Sequence, residues 1–206
     1  MDEKSPEVLV IGAGPGGYVA GIRLGQLGRE VLVVDKGRIG GVCLNLGCIP
    51  TKALLHAAGM VRAFESANSM GLRIQKPEVD LLELNRWKDG IVNRLAKGIE
   101  SLFKANRVEY RRAEAHFLSP DAVVLVGEQG EETLSPRNVI IASGSSPAPL
   151  PGFEPDGSSI LTSDEAVQVN SIPKRLLIIG AGSVGLEFAT LYSALGSKVS
   201  VVEILD

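Results

Sequence analysis

Four short apolar runs set the pattern of this chain. Val8-Leu9-Val10-Ile11 and Val31-Leu32-Val33-Val34 lie near its start, and Leu176-Leu177-Ile178-Ile179 and Val199-Ser200-Val201-Val202 near its end. The first two show no polar alternation, which predicts strands buried on both faces, as in a parallel sheet. Between the first two runs, Ala20, Leu24 and Leu27 keep a helical spacing that Gly28 ends. Between the last two, residues 186–195 do the same and Gly196 ends them. The middle of the chain changes period. Residues 53–66 predict one helix, and residues 68–77 a polar loop. A long helix follows over residues 80–105, with Leu81, Leu84, Trp87, Ile91, Leu95, Ile99 and Leu102 mostly three or four apart and Asp80 as its N-cap. Residues 109–117 and 122–126 predict short strands joined by a turn at 118–121, and residues 127–131 a further turn. Residues 139–142 predict a buried strand, and Pro149, Pro151 and Pro155 mark a connector.

Each strand–helix–strand unit carries the same punctuation. Gly12, Gly14 and Gly17 follow the first strand, and Gly180, Gly182 and Gly185 follow the strand at 176–179. Asp35 stands 23 positions after Gly12, Glu203 stands 23 after Gly180, and the two units are offset by 168 throughout. The physical demands are specific. The first glycine makes a tight turn and the second lets a pyrophosphate approach the backbone. The third lets the helix pack on its strand, and the helix N-terminus meets the phosphates. An acid at the end of the second strand is placed for ribose hydroxyls. The fold class is therefore α/β, with two Rossmann-like dinucleotide-binding units, an internal repeat, and a small antiparallel β insertion between them.

Composition narrows the function classes. The chain has 206 residues, 45% of them apolar, which suffices for a sizeable core. A net charge of −3 offers no basic footprint for nucleic acid. No apolar run approaches a membrane span. The acidic, polar residues 1–7 read as neither a signal peptide nor a transit peptide. Two cysteines without a secretory signal point to a reducing, cytoplasmic setting, where a disulfide is usually catalytic or redox-sensing.

Both cysteines fall in Gly40-Gly41-Val42-Cys43-Leu44-Asn45-Leu46-Gly47-Cys48-Ile49-Pro50-Thr51-Lys52. A loop this short lets the sulfurs meet if the backbone turns at Gly47. A bridge closing so small a loop would stabilise little, which suits exchange better than stapling. A cysteine at a helix start also meets the end of the helix dipole that favours a thiolate. The alternatives are two buried thiols or half of a metal site. Only His56 and His116 would be left to complete a zinc site, so no metal is expected. Neither histidine has a motif around it, and each reads as structural or surface.

This stretch, with both cysteines, Gly47, Pro50 and Lys52 together, resembles the redox-active segment of the flavin-dependent pyridine nucleotide–disulfide oxidoreductases. Leu44-Asn45, Ile49 and Thr51 resemble the lipoamide-oxidising branch more than the glutathione or mercuric reductases, which stay as alternatives beside a non-catalytic cofactor-binding remnant. The resemblance runs from Val8 to Asp206. It implies FAD on the first unit, contacted by Gly12, Gly14, Pro15, Gly16, Gly17, Asp35, Lys36, Gly41, Val42, Cys43, Cys48, Lys52, Ala115, Ala142, Ser143 and Gly144. It implies NAD on the second, contacted by Gly180, Gly182, Ser183, Val184, Gly185, Glu187 and Glu203. On this resemblance residues 1–150 form the FAD-binding domain with a redox-active Cys43–Cys48 disulfide, and residues 151–206 begin the NAD-binding domain.

The family's mechanism then has a dithiol attack Cys43, leaves Cys48 as the thiolate facing the flavin, and sends a hydride on to NAD⁺. Lys52 is the implied cation near the flavin, paired with Glu187. The implied partners are the dihydrolipoyl group on the acyltransferase of a 2-oxo acid dehydrogenase complex and a second subunit of a homodimer. Two departures stand out: Asp35 where the family usually has Glu, and Ser143 where it usually has Thr. The family also continues well beyond the second unit, into a domain that carries a His–Glu base. The chain therefore reads as an N-terminal fragment with a truncated second unit and very low turnover of its own.

Overall fold

A computed structural model describes residues 5–73, 75, 77–128 and 130–204. The chain divides into two compact units, one of Met1–Asn45 with Asn93–Ser146 and one of Leu46–Val92 with Pro147–Asp206.

In the first unit, β1 (Val8–Ile11), α1 (Pro15–Gln26) and β2 (Val31–Asp35) form as the apolar runs and glycines require. Helix α2 (Gly41–Asn45) follows, and α3 (Cys48–Ser69) and α4 (Leu81–Ala105) come next along the chain. Strands β3 (Glu109–Ser119), β4 (Ala122–Gly127), β5 (Gly130–Leu134) and β6 (Asn138–Ile141) complete a six-stranded sheet of order β5-β4-β3-β2-β1-β6. β1, β2 and β6 pair in parallel, and the first residues of β3 pair in parallel with β2. From Ala113 onwards β3 pairs antiparallel with β4, so one long strand joins the parallel sheet to the expected antiparallel insertion. Leu9, Val10, Val33 and Val34 are fully buried, as the unbroken apolar runs predict. β6 is different. Expected as a buried strand, it lies at the sheet edge beside β1, with Ile141 66% exposed. The strand β5 was expected only as part of a turn over 127–131, of which Gln129 lies outside the described residues. Its consecutive polar residues Glu131, Glu132 and Thr133 break the apolar–polar alternation that marks a strand.

The second unit holds α3, the first part of α4, α5 (Ser163–Ala166), β7 (Arg175–Ile179), α6 (Ser183–Leu195) and β8 (Lys198–Val202). β7 and β8 form a parallel pair. Its core comprises Leu54 and Ala58 of α3, Val167 and Val169, and Phe188, Leu191, Tyr192 and Ala194. The Tyr192 hydroxyl donates to the Ala166 carbonyl at 3.0 Å, and burial raises its pKa. Leu176 and Ile178 of β7 pack on this core, whereas Leu177 and Ile179 are 56% and 49% exposed. One face of β7 is thus covered and the other is open. Helix α3 begins five residues earlier than the apolar pattern suggested and ends at Ser69. Its C-terminal end takes the start of the polar loop expected over 68–77, of which Ile74 and Lys76 lie outside the described residues.

Helix α4 buries only part of the apolar series read along it. Asp80 does cap it, its Oδ1 accepting from the Glu83 N–H at 3.0 Å. Its buried residues are Lys88, Val92, Ala96, Ile99 and Phe103; of the apolar series, Ile99 is among them and Leu81 and Leu84 pack on the core of the second unit. Trp87, Leu95 and Leu102 are each more than 40% exposed. Lys88 is wholly buried because its ammonium finds oxygens. It donates to Gln168 Oε1 at 2.8 Å and the Val167 carbonyl at 3.2 Å, and pairs with Asp89 at 3.2 Å. Trp87 instead stacks with His56 of α3, ring centroids 6.5 Å apart, so this histidine has the structural setting expected of it.

Candidate functional site

The two glycine turns are built alike, bond for bond. Gly12 has φ +107° and donates to the Val34 carbonyl at 2.7 Å; Gly180 has φ +106° and donates to the Val202 carbonyl at 2.8 Å. Only glycine adopts that backbone without strain. Gly14 and Gly182 stand in extended conformation at the N-caps of α1 and α6. A Cβ on Gly17 would lie 1.7 Å from the Gly12 oxygen, and one on Gly185 2.0 Å from the Gly180 oxygen. Helix and strand touch backbone to backbone there, which explains the third glycine of each pattern. Pro15, Gly16, Ser183 and Val184 are exposed beside these turns, so each helix end is open to an anion.

The acids lock the same turns. Asp35 Oδ2 accepts from the Ala13 N–H at 2.6 Å, and Glu203 Oε2 from the Ala181 N–H at 2.8 Å. Each carboxylate is thereby held beside its glycine turn, where a nucleotide ribose would lie. Asp35 Oδ1 also accepts from Gly37 at 2.7 Å. Two residues that the sequence reading missed pin this corner from β3. The Tyr110 hydroxyl donates to the Gly37 carbonyl at 3.3 Å, and Arg112 Nε to the Lys36 carbonyl at 3.3 Å. Burial first, and then the Asp35 charge, raise the Tyr110 pKa. More than seventy residues separate these partners, so no local signal marks them. Lys36 itself pairs with Glu114 at 3.1 Å at the surface, and Ala115 follows in β3, half-buried opposite Leu125.

Two further segments close on the first turn. After β6, Ala142 donates to the Ile11 carbonyl at 2.7 Å, and its own oxygen lies where a Cβ on Gly12 would be, at 2.0 Å. Ser143 and Gly144 continue outward, exposed, with Gly144 at φ +77°. From the other side Gly40 donates to the Ala13 carbonyl at 2.8 Å, and a Cβ on Gly41 would lie 2.5 Å from Gly14 Cα.

The cysteine stretch differs from the loop turning at Gly47 that its spacing suggested. The left-handed residues are Gly40 (φ +100°) and Gly41 (φ +61°), and Gly41–Asn45 is helical. Gly47 instead opens α3, its carbonyl accepting from the Thr51 N–H at 3.0 Å. Cys43 is half-buried within α2, with Val42 46% exposed beside it. Cys48 is exposed as the first residue of α3, at the helix start expected of it. Lys52 lies one turn further on, and its Nζ meets Glu187 Oε1 of α6 at 2.8 Å. The pairing that the resemblance implied is therefore made, across 135 residues of sequence. His116 sits in β3 opposite Val124.

The family model for pyridine nucleotide–disulphide oxidoreductases matches residues 6–206. The chain belongs to that family. Among its relatives, a dihydrolipoyl dehydrogenase of Thermus scotoductus is 49% identical over 97% of this chain and 42% of its own length. Dihydrolipoyl dehydrogenase 2 of Haloarcula marismortui is 46% identical over 97% of this chain and 43% of its own. A dihydrolipoyl dehydrogenase of Geobacillus stearothermophilus is 42% identical over 96% of this chain and 42% of its own. The chain thus spans less than half the length of these relatives. In this family the duplicated turns are the expected nucleotide cradles. Both fit, since glycine backbone lines each approach and a carboxylate stands at each far end.

Proposed function

We propose that this chain carries the thiol and nucleotide-binding machinery of a dihydrolipoyl dehydrogenase, with FAD at the first glycine turn and NAD at the second. The observation that carries the reading is the Lys52–Glu187 pair. It joins the helix that starts at Cys48 to the helix that starts at the second glycine turn. Residues 1–150 are assigned to the flavin and residues 151–206 to the nicotinamide nucleotide. The flavin, when bound, supplies the relay of an electron pair from a thiolate to a nicotinamide.

The chain's own residues do the rest. Cys43 and Cys48 alternate between disulfide and dithiol. A substrate dithiol forms a mixed disulfide at Cys43 and releases Cys48 as thiolate; its second sulfur then displaces Cys43 and leaves as the oxidised disulfide. Two electrons pass from substrate to protein; of the two substrate protons one ends on the Cys43 sulfur and the other goes to solvent, because Cys48 stays a thiolate. Cys48 stands exposed as the first residue of α3. The Lys52 ammonium, oriented by Glu187, supplies positive charge one turn along the same helix. Gly12, Gly14, Gly16, Gly17, Gly41 and Ala142 form the flavin cradle with Asp35 and Lys36, and Ala115, Ser143 and Gly144 line its approaches. Gly180, Gly182, Ser183, Val184, Gly185 and Glu203 hold the nicotinamide nucleotide.

The substrate in this reading is the dihydrolipoyl group on the acyltransferase of a 2-oxo acid dehydrogenase complex. Homodimerisation and a cytoplasmic location belong to the same proposal. Among the described residues no helix is long and apolar enough to cross a membrane.

The test is anaerobic reduction of the FAD-loaded chain by dihydrolipoamide. A long-wavelength thiolate–flavin band should appear, vanish in Cys48→Ser and persist in Cys43→Ser. Equal bands in both variants would overturn the roles. Reduction by glutathione but not by dihydrolipoamide would move the protein to another branch of the family.

A further inference from the structure

Helix α2, which carries Cys43, has five residues, far too few to hold itself in water. Its geometry depends on tethers. Gly40 donates to the Ala13 carbonyl of the first glycine turn at 2.8 Å, and Leu44 is buried. The third tether is a side chain. Asn45 Nδ2 donates to the Ile39 carbonyl at 3.1 Å and to the Gly41 carbonyl at 2.9 Å. These two carbonyls bracket Gly40, and both Gly40 and Gly41 are left-handed. Two acceptors leave one orientation for the amide, with its nitrogen towards the turn. The opposite oxygen, Oδ1, is buried without a donor from the protein. Burying an acceptor unmatched is unfavourable, so packing and the two N–H bonds hold this amide in place.

We propose that Asn45 is a positioning residue for Cys43. Its amide closes the Gly40–Gly41 turn and so fixes the helix that presents the thiol, in register with the glycine turn that Gly40 also touches. The proposal deepens the function above and rests on reading Cys43 as the sulfur that meets substrate. Asn45→Ala removes the bonds to both carbonyls. Asn45→Asp is worse, because it sets a carboxylate against two carbonyl oxygens. Asn45→Gln keeps the amide on a longer stem. Cys48 serves as the internal control, because α3 has its own support from the Gly47 carbonyl and the buried Thr51.

The experiment uses the 206-residue chain, reduced with a phosphine and desalted. Alkylation by iodoacetamide is followed at each cysteine by peptide mass spectrometry, with thermal unfolding recorded in parallel. Loosening α2 should expose the half-buried Cys43. Its alkylation should rise by about fivefold or more in Asn45→Ala and Asn45→Asp, while Cys48 stays within about twofold. Asn45→Gln should fall between these variants and the parent. Unchanged Cys43 rates in folded Ala and Asp variants would overturn the proposal. So would both cysteines accelerating together, which is the mark of general loosening. If Ala and Asp fail to fold, Asn45→Gln decides: an unchanged Cys43 rate, or one matched by Cys48, sinks the idea. Failure of the functional reading shows separately, as a parent chain whose cysteines never exchange with a dithiol while the Asn45 dependence of Cys43 alkylation persists.

Discussion

Replacing Gly17 with alanine should unfold the first nucleotide turn, and the contrast with its neighbour isolates the cause. A Cβ on Gly17 would sit 1.7 Å from the Gly12 carbonyl oxygen, 2.7 Å from the Gly12 carbonyl carbon and 3.4 Å from Val10 Cγ1. The gap must widen by more than about 1 Å, and both sides of it are backbone, so no rotamer relieves the clash. Overpacking in a core usually costs about 1–3 kcal/mol; with backbone on both sides, about 3 kcal/mol or more is expected. For a chain of this size that lowers the unfolding midpoint by roughly 6–12 °C. Gly16→Ala is the control. It adds the same methyl one residue earlier, where among the described residues the contact within 4 Å from outside the local helix backbone is Ala142 Cβ at 3.6 Å, an ordinary distance. The assay is thermal unfolding of the flavin-free chain by circular dichroism, followed by FAD retention on gel filtration. Gly16→Ala should melt within about 2 °C of the parent. A Gly17→Ala midpoint equal to that of Gly16→Ala would refute the claim that helix and strand meet there at backbone contact.

Three further outcomes follow from particular residues. Burial lowers the Lys88 pKa from 10.5, with Asp89 opposing it. The unfolded chain therefore binds the extra proton between the folded and unfolded pKa values, and stability should rise with pH through that window. Lys88→Met should abolish the rise in urea titrations repeated across pH; a slope unchanged in the variant would assign it to another group. Asp156 accepts from the N–H groups of Ser158, Ser159 and Ile160, which hold its pKa down to about 2. Those bonds are fully present above the ordinary carboxylate range and are lost as pH falls through about 2. Protection of the 158–160 amides, taken relative to the intrinsic exchange rate at each pH, should be lost there, and in Asp156→Ala at neutral pH; protection unchanged in that variant would show the bonds to be idle. Glu203, held at the second turn by the Ala181 N–H, should favour NAD over NADP by about a hundredfold, because a carboxylate repels a 2′-phosphate. Equal binding of the two nucleotides in calorimetry would exclude that role.

The two glycine turns, their strands and helices, and the place of Cys48 at a helix start were legible in the residues alone. These are local demands. An unbroken apolar run, a glycine that must be left-handed and a glycine that must lack a side chain leave little choice, whatever the rest of the chain does. The family resemblance placed Lys52 against Glu187, but only the tertiary structure made that contact, between groups 135 residues apart. Tertiary structure also decided what periodicity cannot. Helix α4 buries Lys88 and leaves Trp87 largely exposed, because two oxygens at residues 167 and 168 await an ammonium. β6 has the composition of an interior strand, yet it stands at a sheet edge, since burial depends on neighbours and not on sequence alone. The cysteine stretch shows both regimes. Its short spacing was legible, but the turn fell at Gly40–Gly41 and not at Gly47. The reason is physical: an Asn45 amide and the Ala13 carbonyl hold that turn, and their positions are set only when the first glycine turn has folded beside it.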